Sequence, residues 1–356
     1  KLPPEADALR HGIQAGVAVA SARPFPPGRA AWETGREATR SALAASLGLD
    51  PLPERTPLNA RVTGSIEHEH VRIENVVFES RPRFLVTANL TIPKGLTGPA
   101  PAIVVVPGHA MKEGKNQGGY RKAQLSLARL GFVVISYDPI GQGERRQPGF
   151  DHPLGYTSLM VGQCNEGMIV WDTMRTIDYL CTRPEVDPER IGLTGNSGGG
   201  ENTFYTMPLE PRVKVGAACC FVCSYAEWIE RGGNHCICNH MPGLIRHMEQ
   251  FEIIGINAPR PFLVCNASQD PIFPIEGTRQ TVERARLLYG YHGVAERVRL
   301  VAAPGGHGWS QPLREATCGW FTHWLLGSGG GRPLPERDPL GAGSWDGAQM
   351  RVFQAR

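Results

Sequence analysis

Ile191-Gly192-Leu193-Thr194-Gly195-Asn196-Ser197-Gly198-Gly199-Gly200 is the stretch on which the reading of this chain turns. Its first half reads as a short buried strand, and the residues from Gly198 to about Met207 read as a helix. A strand that runs through Gly-x-Ser-x-Gly straight into a helix makes a sharp turn. The residues beside the serine must be small for strand and helix to approach each other. The strained turn then lifts the hydroxyl clear of the sheet, at a helix N-terminus whose dipole favours negative charge. A glycine-rich turn with a capping serine is the plain alternative. The setting between a buried strand and a helix favours a nucleophile at Ser197.

The setting repeats on both sides. Continuous apolar runs at 102–107, 132–137, 216–222 and 261–266 read as strands buried on both faces, and 297–301 as a last strand. Helical segments are expected near 119–130, 168–180, 276–289 and 312–326. Alternation of this kind predicts a mostly parallel central sheet flanked by helices. Ahead of it, Ser65 to Ile92 alternates apolar and polar residues and predicts antiparallel strands, the second ending at Pro93. Residues 1–60 are rich in Pro and Ala and carry one expected helix, about 31–47. The segment 224–257 breaks the rhythm and reads as an insertion. The tail 328–356 is rich in Gly and Pro and is expected to wrap the surface. The expected organisation is therefore an N-terminal helical extension (1–60), a catalytic domain (61–327) with the insertion lining its pocket, and the tail.

Ser197 needs a base, and the base needs a carboxylate to fix its tautomer. Asp270 follows the strand 261–266 in a loop closed by Pro271 and Pro274; His307 sits among glycines between the last strand and the last helix. Asp-Pro is also a common turn pair, and a loop histidine is often only that. Both lie after successive strands in the order Ser, acid, His, which selects Ser197, Asp270 and His307. Val106-Pro107-Gly108-His109-Ala110 ends an earlier strand. An oxyanion hole is expected from the backbone N–H of His109 or Ala110 together with that of Gly198.

Composition narrows the rest. In 356 residues the chain is 41% hydrophobic and 20% charged, enough for a large core and too apolar for disorder. A net charge of +3 with no basic run gives no argument for nucleic acid. No stretch of 18 apolar residues is present, so no membrane-spanning helix is expected. The sequence starts at Lys1 without Met, which is compatible with a secreted or periplasmic protein and equally with a cytoplasmic one. The nine cysteines lie between Cys164 and Cys318, mostly in apolar runs where a thiol acts as a small core residue.

Tyr137-Asp-Pro-Ile-Gly-Gln-Gly-Glu-Arg145, Trp171-Asp-Thr-Met-Arg-Thr-Ile-Asp-Tyr-Leu180 and Arg183-Pro-Glu-Val-Asp-Pro-Glu-Arg-Ile191 lead into Thr194-Gly-Asn-Ser-Gly-Gly-Gly200. Together these blocks resemble the acetyl xylan esterase-like branch of the α/β-hydrolases, near the cephalosporin-C deacetylases and the prolyl-oligopeptidase-like esterases. The likeness extends over about Ser65 to Leu326. It implies an α/β-hydrolase fold, a serine esterase activity on acetyl or methyl esters of carbohydrates, and triad roles for Ser197, Asp270 and His307. The chain departs from the cephalosporin-deacetylase branch at Gly198, where that branch carries Gln.

Gly233-Asn-His235-Cys236-Ile-Cys238-Asn-His240 has the composition of a metal cluster. Cys-x-Cys in an extended chain points its thiols to opposite sides, so no metal is expected here. A disulfide from Cys236 or Cys238 to Cys223 ranks above a metal, and an insertion loop lining the pocket is the default reading. Trp309, Trp228 and Tyr225 are expected to stack on a sugar ring, although aromatic residues serve packing equally well. The expected reaction is ester hydrolysis through an acyl-enzyme, with no metal or organic cofactor and a small-molecule or carbohydrate ester as partner. A uronate methylesterase, a peptidase or amidase on the same triad, and a silent binding module are the rivals.

Overall fold

The computed structural model describes residues 8–22, 24–146, 156–230, 236–336 and 347–353. Its centre is one nine-stranded sheet: β1 (Arg61–Glu67), β2 (Val71–Arg81), β3 (Phe84–Pro93), β4 (Ala100–Val106), β5 (Val133–Tyr137), β6 (Val186–Asn196), β7 (Val213–Cys219), β8 (Phe262–Ala267) and β9 (Val298–Ala303). The spatial order is β1-β2-β3-β5-β4-β6-β7-β8-β9. The first three strands form an antiparallel meander, and β3 is also antiparallel to β5. From β5 across to β9 every pairing is parallel.

The apolar runs become the strands buried on both faces. Every residue of β4 is buried, and each Val there contributes roughly 1.5–3 kcal/mol relative to exposure. Helices Gly118–Arg129, Asn165–Leu180, Gly198–Leu209, Ile275–Gly290 and Gln311–Leu326 cover the sheet within a few residues of the expected bounds. Two hydrophobic clusters result, one on each face: Trp171, Phe204 and Phe262 belong to one, Trp320, Phe321 and Leu313 to the other.

Three differences from expectation have physical causes. Residues 1–60 carry two helices, Ala8–Ser21 and Arg29–Ser46. The first packs against the short helices Tyr225–Glu230 and Leu244–His247, partners far along the chain that no local pattern announces. The second, the one helix that was expected, docks through Trp32, which packs above Gly255, and through Arg36, which donates to the carbonyl oxygens of Ile256 and Ala258 at 2.6 and 2.5 Å. The end of the 224–257 segment is no surface insertion: Gln250–Ile256 is a wholly buried helix closed at its start by a capping box between Glu249 and Glu252. In the tail, residues 347–353 lie across the meander. Asn75 Nδ2 donates to the carbonyls of Gln349 (2.8 Å) and Arg351 (3.0 Å), and Asn89 Nδ2 to that of Met350 (3.0 Å).

One buried ion pair fixes the loop after β4. Lys115 Nζ meets Asp138 Oδ2 at 2.5 Å and Glu144 Oε2 at 2.6 Å, with the lysine and Asp138 side chains out of solvent. The Glu144 carboxylate also accepts the N–H groups of Val352 and Phe353, so the tail closes over the pair. Lys115→Ala strands two carboxylates and is expected to cost about 3–5 kcal/mol, read as a fall in the urea midpoint.

Candidate functional site

β6 and the helix Gly198–Leu209 meet at Ser197, whose φ of 57° and ψ of −121° place a non-glycine residue in a strained left-handed turn. The surroundings over-determine the turn: Ser197 N–H donates to Cys219 O at 2.9 Å, and Ser197 O accepts from Glu201 N–H at 2.8 Å. Strand and helix touch where only hydrogen fits. A Cβ on Gly199 would run into the Val106 carbonyl, and one on Gly195 would strike both Val106 and Gly199. Gly199→Ala is expected to destabilise by roughly 2–4 kcal/mol in thermal or urea unfolding, since backbone lines the contact and cannot swing aside.

The structure brings the three expected residues together although they are far apart in sequence. His307 Nε2 lies 2.9 Å from Ser197 Oγ, and His307 Nδ1 lies 2.8 Å from Asp270 Oδ2. Asp270 Oδ1 accepts the N–H groups of Ile272 (2.9 Å) and Phe273 (3.1 Å). The turn-capping and histidine-orienting readings of Asp270 thus hold together, one on each oxygen. Its side chain is fully buried, whereas that of His307 is 21% exposed, so a proton on the ring can reach solvent or substrate. Gly305 and Gly308 both have positive φ and let the chain double back to present the ring.

Of the expected oxyanion donors, Ala110 is engaged elsewhere: its N–H donates to Gln142 Oε1 at 2.7 Å. Sequence reasoning missed Gln142, which lies in another loop and has no local signature. Of the two loop donors expected, the N–H of His109 is the one without that bond to Gln142. A Cβ on Gly198 would stand 3.5 Å from Gly108 Cα and 3.6 Å from His109 Cε1, which places the two loops edge to edge. Tyr120 joins them, its hydroxyl accepting from Gly108 N–H at 2.7 Å and donating to Asn196 O at 3.4 Å.

The three aromatic residues expected over the serine are packed inside. Trp309 packs tilted against Tyr120 with centroids 6.0 Å apart, Tyr225 bonds its hydroxyl to that of Tyr205 at 3.2 Å, and Trp228 packs near His240. All three are buried, so no face is offered for a sugar ring. Core demand for large rings outweighs exposure here.

All nine cysteines are free thiols, so the bridge to Cys223 weighed against a metal does not form. Cys223 Sγ faces Pro274 O and Gly277, while Cys236 and Cys238 point the other way, toward His109. The chain at Ile237–Asn239 is a 3₁₀ turn, not an extended strand, and so both thiols fall on one side. That also corrects the geometric objection to a metal at these residues. Glu166 and Glu201 lie fully buried behind them. Burial raises the carboxyl of Glu166 well above its ordinary range, and that of Glu201 to about 8.

The strand order and the strained serine turn, with an acid and a histidine on the loops after β8 and β9, define an α/β-hydrolase fold. The acetyl xylan esterase family model matches residues 58–235, half of the chain, and the chain belongs to that family: it is a hydrolytic esterase. The Bacillus subtilis protein YtaP is 27% identical over 78% of this chain and 96% of its own length. Among solved structures, the methylesterase BT1017 superposes with a TM-score of 0.71 at 20% identity, over 97% of this chain and 74% of that one. A glucuronoyl esterase from Solibacter usitatus gives 0.67 at 16% identity, over 85% and 95%. Among the described residues no helix is long and apolar enough to cross a membrane.

Proposed function

We propose that this esterase works through Ser197, His307 and Asp270 and removes acetyl or other short acyl groups from a carbohydrate or small ester. His307 Nε2 takes the proton of Ser197 Oγ as the oxygen attacks the ester carbonyl. Asp270 holds the ring by Nδ1 and stabilises the imidazolium. The N–H groups of Gly198 and His109 receive the oxyanion. Collapse expels the alcohol, protonated by His307, and leaves an acyl-serine; water activated by the same ring then releases the acid. The observation that carries the reading is the continuous chain of contacts, 2.9 Å from Ser197 to His307 and 2.8 Å from there to Asp270.

The family's name supports an acetyl substrate. A second reading, hydrolysis of a uronate ester, has support in the fold shared with enzymes named methylesterase and glucuronoyl esterase. The two readings separate on a panel of acetylated xylan, methyl-esterified uronate and short and long aryl acyl esters. The acetyl reading expects the highest kcat/KM on acetyl esters, and a preference for the methyl uronate transfers the assignment to the second. An aminoacyl nitroanilide in the same panel is expected to remain intact.

A further inference from the structure

Beside the Ser197 turn, the Cys236 and Cys238 sulfurs approach His109 Nε2 at 3.1 and 3.6 Å. The three potential ligand atoms all lie within 4.8 Å of one another. Zinc bound tetrahedrally, about 2.3 Å from sulfur and 2.0–2.1 Å from nitrogen, sets its nitrogen and sulfur ligands roughly 3.5 Å apart. The observed spacings bracket that value. A cavity of about 10 Å³, lined by His109, Cys238, Glu166 and Gly198 among others, adjoins them, room for one small occupant.

Charge points the same way. The Glu201 carboxyl is in hydrogen-bond contact with Cys238, and its Oε2 accepts from Asn239 Nδ2 at 2.8 Å. Its Oε1 is buried and has no partner, and Glu166 Oε2 is in the same condition. Among the described residues neither carboxyl has an Arg or Lys at ion-pair distance. Two thiols, an imidazole and two buried carboxyls therefore converge with no Arg or Lys beside them among the described residues, a donor set that suits a soft divalent cation.

We propose that His109, Cys236 and Cys238 bind one zinc-class divalent cation beside the Ser197 turn, with the fourth position left to an exchangeable ligand. The cation would tie the 3₁₀ turn at Ile237–Asn239 to the loop after β4. On the function proposed above, fixing the His109 ring also fixes the backbone N–H of the same residue, the oxyanion donor. The metal is a brace in this proposal, outside the reacting atoms.

The test uses the full chain, grown with zinc and purified without chelator or a histidine tag. About one equivalent of zinc per chain is expected. After chelation under reducing conditions, added Co²⁺ is expected to give thiolate-to-cobalt absorption in the near ultraviolet and tetrahedral bands in the visible. Both signals should vanish in Cys236→Ser/Cys238→Ser and persist in Ser197→Ala, which separates this proposal from the fate of the esterase mechanism. Wild-type protein that holds no more metal than the double variant, or that gives no cobalt–thiolate absorption, overturns it.

A second measurement needs no variant. At zinc a hundred times its dissociation constant, iodoacetamide labelling of Cys236, the half-buried thiol of the pair, should slow about a hundredfold in the wild type relative to the chelated protein. Burial pushes the thiols of Cys164, Cys220 and Cys318 up to about 12, so they stay silent at pH 8 and serve as internal controls. Equal labelling with and without zinc, or a Cys236–Cys238 disulfide in the chelated protein under reducing conditions, overturns the proposal.

Discussion

Ser197→Ala is expected to lower kcat on p-nitrophenyl acetate by about 10⁵–10⁶-fold, with little change in the unfolding midpoint. The size follows from what the side chain does in the proposed mechanism. Without Oγ no acyl-enzyme forms, and His307 has no alcohol to deprotonate. What survives is attack by water held near the oxyanion donors of Gly198 and His109, a residual that such sites retain when a triad member is removed. Stability should hold because the turn is kept by backbone contacts: the Ser197 N–H to Cys219 and the Ser197 carbonyl to Glu201 are untouched by loss of the hydroxyl. Full activity in this variant contradicts the mechanism at its first step.

Asp270→Asn is expected to cost about 10⁴-fold in kcat, with KM moved far less. Asp270 Oδ2 faces His307 Nδ1, so a carboxylate there requires the proton on Nδ1 and leaves Nε2 as the acceptor for Ser197. An amide nitrogen in that place reverses the tautomer and leaves the imidazolium without its counter-charge. The N–H groups of Ile272 and Phe273 still find an oxygen on Asn, which keeps the loop formed. A kcat loss with unchanged folding separates the orienting role from a merely structural one. Steady-state kinetics and a thermal melt on the same preparation read both.

The parts legible in the sequence are those written in local pattern. β4, β6 and β8 announce themselves as apolar runs, and Gly195, Gly199 and Gly200 mark the one place where a helix must lie on a strand end. Chain order then picks out Asp270 and His307. What the sequence hides is carried by contacts across long separations. Gln142 takes the Ala110 N–H from 32 residues away, a bond with no local signature, and on the proposed mechanism it leaves His109 as the loop's donor. The burial of Trp228 and Trp309 follows from neighbours supplied by distant segments, so an aromatic ring near a catalytic residue in sequence says little about exposure. Cys236 and Cys238 show the same limit. Their spacing suggests opposed thiols only if the chain is extended, and the 3₁₀ turn that aligns them has no strong signature in Ile-Cys-Asn. The helix Ala8–Ser21 finds its packing partners, Tyr225–Glu230 and Leu244–His247, far along the chain.

The account rests on an activated Ser197, and covalent labelling tests it most directly. A fluorophosphonate probe, followed by intact mass and peptide mapping, is predicted to add once per chain, on the peptide holding Ser197. Labelling is predicted to disappear in Ser197→Ala and to slow sharply in His307→Ala. An unlabelled wild type, or an adduct that forms as readily when residue 197 is alanine, contradicts the account.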